Sequence, residues 1–187
     1  MGGIIFFAPG SIRLQRPECG WVGWTFNIMN LLFFLLIIPI SGVLKILDLE
    51  LPLFAHVIPT TTLLHFILEL AGIIIFLLGS FVLLWSRLSL RRSFRLAGVK
   101  PSSNDYLTLH GPYKLIRHPM YLSALLVLFG LTLILSSVAI GISFILMLLL
   151  IIKLIPKEEE QLDQAYPMAY AEYCRRVPGA LFPQKNN

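Results

Sequence analysis

The residues of this chain best equipped for chemistry are gathered between His110 and Tyr121, in the order His-Gly-Pro-Tyr-Lys-Leu-Ile-Arg-His-Pro-Met-Tyr. Gly111 and Pro112 are turn formers, and Tyr113, Lys114 and Arg117 follow as polar handles. His118 and Pro119 then stand directly before the apolar run from Tyr121 to Leu135. Proline is well tolerated at the start of a helix, where its missing N–H would have no partner anyway. The pattern therefore predicts His118 as N-cap and Pro119 as the first helical residue. A helix start offers free N–H groups and the positive end of a dipole, and Arg117 adds a charge beside it. That combination suits an anion held at a membrane–water boundary. A second polar group, Glu158-Glu159-Glu160, follows the last apolar run, and Tyr166, Tyr170 and Tyr173 come after it at helical spacing.

Each feature has a plain structural explanation when taken alone. A His-Pro pair is a cap, an acidic run is a solvated first turn, and spaced tyrosines are a packing stripe. Arg87 to Arg95 reads as an anchor for lipid headgroups, and Gly72 and Gly79 as points of close helix packing. Glu69, inside an apolar run with His65 near its end, is costly there unless it is paired. No Gly-rich phosphate loop and no His/Cys metal spacing occurs, so no metal site is expected.

The elements that must position these groups are membrane helices. The 187 residues are 57% hydrophobic and 13% charged, against roughly 25% charged in soluble domains. Spans are predicted from Trp24 to about Leu47, from about Thr62 to Ser86, from Pro119 to Leu135 and from Val138 to Ile155. Residues 48–60 read as a loop with room for a fifth, short interfacial helix. Lys153 to Lys157, with Pro156, reads as the exit from the fourth span, and a helical tail then runs to Val177. Ser136-Ser137 leaves so short a connection that the last two spans must form an antiparallel hairpin. The expected fold is thus an all-α, polytopic integral membrane bundle over residues 1–187, with N-terminal spans in 1–85 and a loop, hairpin and tail in 86–187.

The net charge of +5 is not arranged for nucleic acid. Fourteen of the fifteen Lys and Arg fall on one side of the predicted spans, and Lys45 alone on the other. The positive-inside rule makes the rich side cytoplasmic, with both termini inside. Cys19 and Cys174 then face a reducing compartment, and no disulfide is expected. No signal peptide or lipidation signal is read at either end. The hairpin brings Arg117-His118 level with Lys157-Glu158, about one helix diameter apart, an arrangement suited to a zwitterionic ligand. Lys45, at the far end, is expected to be silent.

Gly111-Pro112-Tyr113 with Arg117-His118-Pro119-Met120-Tyr121, and then Glu158-Glu159, Leu162, Tyr166, Tyr170, Tyr173 and Val177-Pro178, resembles the two-part signature of the membrane-embedded isoprenylcysteine carboxyl methyltransferases and their phospholipid N-methyltransferase relatives. The resemblance covers residues 85–183. It implies S-adenosylmethionine as cofactor, bound in a cytoplasmic-side pocket that the helical tail caps, and a lipid-borne acceptor entering from the bilayer. Carried over by position, the cofactor-binding residues would be Asp105, Tyr106, Leu107, Thr108, Tyr113, His118, Pro119, Met120, Tyr121, Glu158 and Glu159.

A prenylcysteine α-carboxylate is ionised at neutral pH and would need a cation to hold it, not a base. An amine acceptor would need its proton removed, a task for His118 or a glutamate. The resembled enzymes carry an arginine one turn before the acidic run. Here the nearest basic residue is Lys153, offset by one, a point charge instead of a fork. The expected acceptor is the prenylcysteine α-carboxylate, with a phospholipid amine as the alternative, and Lys153, Arg175 and His118 are the catalytic candidates, Arg175 or Arg176 standing in for the missing arginine. Two other readings compete: an NADPH-dependent sterol-type reductase, on an Arg-His-Pro-x-Tyr stretch shared with such enzymes, and a non-catalytic membrane subunit.

Overall fold

The computed structural model describes residues 20–47, 49, 51, 63–90 and 107–184. Its order is α1 (Gly20–Leu32), a π-helical turn (Phe33–Ile37), α2 (Ile38–Ile46), α3 (Leu63–Leu90), a 3-10 turn (Gly111–Lys114), α4 (Pro119–Leu135), α5 (Val138–Ala165) and α6 (Pro167–Arg176). The first three of these form one continuous helix. That helix, α3 and α5 are long and apolar enough to cross a membrane, and α4 is a shorter apolar helix of 17 residues. At about 1.5 Å per residue α4 is roughly 25 Å long, slightly less than a hydrocarbon core of about 30 Å. The short helix suggested around 50–60 lies outside the described residues.

Apolar side chains cannot drive helix association when the surrounding lipid is as apolar as they are, so close packing must do it. The buried positions of α3 include His65, Gly72, Gly79 and Ser86, a seven-residue repeat of mostly small side chains. Gly72 meets Gly130 on α4, and Gly79 meets Leu126 and Val127 one turn before it. A Cβ on Gly72 would lie 2.8 Å from the Gly130 carbonyl oxygen, and one on Gly130 would lie 2.7 Å from the Phe76 nitrogen. These helices are therefore in backbone contact. Phe66, Ile74, Leu77 and Phe81 of α3 are exposed, as a lipid-facing surface would require.

On the other side of α4, Ile140, Met147, Ile151 and Leu154 of α5 pack with Val22, Phe26 and Phe33 of the first helix and Tyr121, Leu125 and Leu128 of α4. Asn30 ties α1 to α5 more weakly, its amide lying 3.9 Å from the Met147 sulfur. Pro39 does not break the first helix. The π-helical turn ahead of it closes with Ile38 N–H donating to the Phe33 carbonyl, a register shift that absorbs the proline.

Two expectations change and one holds. The fourth span does not stop at Pro156: α5 runs through it to Ala165. The break falls at Tyr166, immediately before Pro167, where a residue preceding proline is steered away from helical geometry. The hairpin turn is at Ser136-Ser137 as expected, with Ser136 in the left-handed region (φ 46°) and donating its N–H to the Thr132 carbonyl. Lys45 is not isolated. Its ammonium is 3.0 Å from Glu69 and donates to the Ile134 carbonyl at 2.9 Å, joining α2, α3 and the last turn of α4. A cation near a helix C-terminus satisfies an orphan carbonyl and the negative end of the dipole. This gives Lys45 a structural role where none was expected.

Candidate functional site

The site forms where the chain enters α4. Gly111 adopts φ +64°, a conformation that glycine tolerates without strain, and a Cβ there would run into the Ser89 hydroxyl of α3. Docked this way, the 3-10 turn buries Pro112 and Tyr113. His118 occupies the N-cap position and Pro119 opens α4, as the sequence predicts, but the imidazole makes no capping bond. Its ring stacks on Tyr121, with centroids 5.7 Å apart, and turns toward α5.

There the groups expected to lie a helix diameter apart are in direct contact. Arg117 donates from Nε to Glu159 at 2.8 Å. His118 Nε2 is 3.1 Å from the same Glu159 oxygen, and His118 Nδ1 is 3.7 Å from Glu158 Oε2. The anion-holding place at the helix start is therefore occupied by the chain's own Glu159. The reason is the continuation of α5 past Pro156, which carries Glu158 and Glu159 into the hairpin.

The tail closes the arrangement. Tyr170 and Tyr173 on α6 pack with Val177, Leu107 and Leu162, and the Tyr173 hydroxyl donates to the Tyr113 carbonyl at 2.8 Å. Beyond α6 the chain folds back as a strap over the start of α4. Arg117 N–H donates to Gly179 O and His118 N–H to Ala180 O, at 3.0 and 2.9 Å. Arg117 Nη1 adds bonds to Val177 O at 2.9 Å and Pro178 O at 2.6 Å. A Cβ at Gly179 would collide with the Phe182 carbonyl, so the bend needs glycine.

Electrostatics follow from this crowding. Burial would lower the Arg117 pKa, but its hydrogen bond and charge contact with Glu159 outweigh that and raise it. Burial pushes the Tyr113 hydroxyl well above its ordinary value, and the Glu158 charge pushes further. Tyr170 and Tyr173 are also raised, chiefly by burial. The three are neutral phenols at physiological pH, able to donate hydrogen bonds but not to act as bases.

Of the residues singled out in the sequence, Leu107, Tyr113, His118, Pro119, Met120, Tyr121, Glu158 and Glu159 lie at or beside this cluster, and Thr108 follows Leu107 in the chain. Thr108 is buried with its hydroxyl unpaired, and the buried Oε2 of Glu158 accepts no hydrogen bond. Asp105 and Tyr106 lie outside the described residues. The two cationic candidates are elsewhere. Arg175 is exposed and pairs with Glu172 at 3.3 Å. Lys153 is exposed on α5, about 120–140° around the helix from Glu158 and Glu159 at 100° per residue. Sequence reasoning missed Gln161, whose Oε1 is buried without a hydrogen-bond partner one turn from Glu158. Its i,i+3 spacing from Glu158 was the available signal. Among the described residues no group of three or more His, Cys, Asp or Glu is placed to hold a metal.

Over its described residues the chain is helical, with three helices long and apolar enough to cross a membrane and a polar cluster at one end of a helical hairpin. The family model for phospholipid methyltransferases matches residues 67–169, more than half of the chain and both halves of the cluster. The chain belongs to that family, which includes the isoprenylcysteine carboxyl methyltransferases. It is also similar to the "Cobalt-zinc-cadmium resistance protein CzcN" of Cupriavidus metallidurans, with 39% identity over 85 residues, covering 43% of this chain and 37% of that protein. The match thus spans little more than a third of that curated relative's length. No solved structure matches the chain.

Proposed function

We propose that the protein is an S-adenosylmethionine-dependent methyltransferase acting on a lipid-borne acceptor at the cytoplasmic end of a four-span bundle, with residues 86–187 carrying the site. The observation that carries this reading is the convergence of Arg117, His118, Glu158 and Glu159 within hydrogen-bonding or ion-pairing distance beneath the tail strap.

The residues present fit the cofactor. The buried, unpaired oxygens of Glu158, Gln161 and Thr108 call for donors, which an amino group and ribose hydroxyls supply. The aromatic faces of Tyr113, Tyr170 and Tyr173 suit an adenine ring and a sulfonium. When bound, the cofactor supplies an electrophilic methyl group. The protein's part is positioning and water exclusion: the strap and α6 close the aqueous side, and Arg117 holds the strap to Glu159.

The acceptor is either the α-carboxylate of an isoprenylated cysteine or a phospholipid amine, and the charges described favour the amine. Arg117 is committed to Glu159 and two tail carbonyls, while Lys153 and Arg175 face away, so among the described residues no uncommitted cation stands at the cluster to hold a carboxylate. Glu158, whose Oε2 accepts no hydrogen bond, does stand there to attract an ammonium group, and His118, with Nδ1 3.7 Å from it, can take its proton at a ring nitrogen. The test supplies methyl-labelled S-adenosylmethionine to the protein in vesicles containing phosphatidylethanolamine or a farnesylcysteine. Label in the phospholipid is the expected result. A base-labile methyl ester on the prenylcysteine would make the carboxylate the acceptor, and no label in either would overturn the reading.

A further inference from the structure

A cavity of about 480 Å³ lies between the 3-10 turn and α6. Ligand pockets are typically about 300–1,000 Å³. Leu109, Tyr173 and Val177 form its apolar wall, and Lys114, Arg176 and Glu172 its polar rim. The rim is biased toward positive charge. Glu172 is shared between Arg175 at 3.3 Å and Arg176 at 2.9 Å, so one carboxylate faces two guanidiniums. Arg176 spends only its Nε on Glu172, leaving the planar Nη fork directed elsewhere. Lys114 has no carboxylate within 4.0 Å among the described residues.

The surroundings are those of a lipid boundary. Lys114 lies five residues before the start of the apolar α4, at the level where a span meets water. Next to the cationic rim, Leu109, Leu115 and Met168 are exposed at 44%, 59% and 87%. Exposed apolar side chains beside a cationic rim favour an amphiphile over a soluble ion, because each half of such a ligand finds its own surface. An arginine fork and a lysine point charge are also the usual partners of a phosphate oxygen.

We propose that this cavity is a binding site for the phosphate ester of a membrane phospholipid, held by Lys114 and Arg176 with its chains along the apolar lip. It shares Tyr173 and Val177 with the tail over the methyl-transfer cluster, but its cations, Lys114 and Arg176, make no contact with Glu158 or Glu159, and lipid binding there does not require methyl transfer.

The test uses the full chain in mild detergent and reads retained lipid by native mass spectrometry. Phosphatidylglycerol is compared with diacylglycerol of the same chains, which lacks the phosphate. The wild-type protein retains phosphatidylglycerol and loses diacylglycerol. Lys114→Ala and Arg176→Ala each weaken retention about five-fold, as expected for one cation near a lipid surface. Lys114→Arg restores it, whereas Lys157→Ala, on exposed α5 surface, leaves it unchanged. Equal retention of the two lipids, or undiminished retention in the Lys114→Ala/Arg176→Ala protein, would overturn the proposal. Displacement of the lipid by inorganic phosphate at matching concentration would overturn its lipid half, assigning the site to free phosphate.

Discussion

Replacing Lys45 with alanine removes the one ammonium that joins α2, α3 and the end of α4. In the native bundle it lies 3.0 Å from Glu69 and 2.9 Å from the Ile134 carbonyl, with the two charged side chains 29% and 34% exposed. A fully exposed ion pair contributes roughly 0.2–1 kcal/mol, whereas removing one partner of a buried pair costs roughly 3–5 kcal/mol. Partial exposure places Lys45→Ala between them, at about 2 kcal/mol, with the loss of the carbonyl's donor included. Glu69→Leu leaves the ammonium unpaired and should cost about as much. The double variant Lys45→Met/Glu69→Leu removes both charges together and should lie within about 1 kcal/mol of wild type, because an apolar pair of similar volume needs no desolvation. The assay is reversible unfolding in mixed micelles with a rising fraction of sodium dodecyl sulfate, followed by circular dichroism and analysed as a double-mutant cycle. A Lys45→Ala protein within about 0.5 kcal/mol of wild type, or single effects that simply add in the double variant, would refute the assigned role.

Three further outcomes follow from the same geometry. Gly130→Leu should destabilise the bundle by at least about 1–3 kcal/mol in that micelle assay, since even a Cβ would press on the α3 backbone; unchanged stability would mean that α3 and α4 are not in backbone contact. Tyr173→Phe should lose about 1 kcal/mol from the tail's docking and raise hydrogen exchange in residues 167–184, with exchange in α4 unaltered; equal exchange rates would count against the Tyr113 contact. Because Tyr113, Tyr170 and Tyr173 hold their protons more tightly folded than the ordinary tyrosine value of about 10, stability should be unaffected by them below that pH and fall as pH rises above it. A Tyr113→Phe/Tyr170→Phe/Tyr173→Phe protein should lose most of that alkaline dependence, and an unchanged pH profile would show that these hydroxyls are not buried.

Much of the bundle is legible in the sequence because its punctuation is local. Pro119 and the Ser136-Ser137 turn bound α4, and the seven-residue spacing of His65, Gly72, Gly79 and Ser86 marks the face of α3 that meets it. The signature residues at 117–121 and 158–159 also announce that two distant segments share a site. What stays hidden depends on contacts between segments. Pro156 looks like a stop, yet the helix-favouring charged residues after it carry α5 nine residues further, which turns an expected gap between opposite charges into ion pairs. The strap is held by backbone carbonyls of Val177, Pro178, Gly179 and Ala180, groups that every residue has and no pattern reveals. Counting Lys45 as the lone charge on its side says where it lies but not that Glu69 and Ile134 receive it.

In the proposed function Glu158 and its neighbours under the strap bind S-adenosylmethionine. Calorimetric titration of S-adenosylmethionine and S-adenosylhomocysteine into the detergent-purified protein tests it most directly, with NADPH as a parallel ligand and Glu158→Ala as the comparison. Saturable binding of both sulfur nucleosides is expected, with none of NADPH, and Glu158→Ala should lose at least about ten-fold in affinity, as when a buried charged hydrogen-bond partner is removed. Wild-type affinity in the Glu158→Ala protein would place the pocket elsewhere. Binding of NADPH alone would contradict the methyltransferase reading.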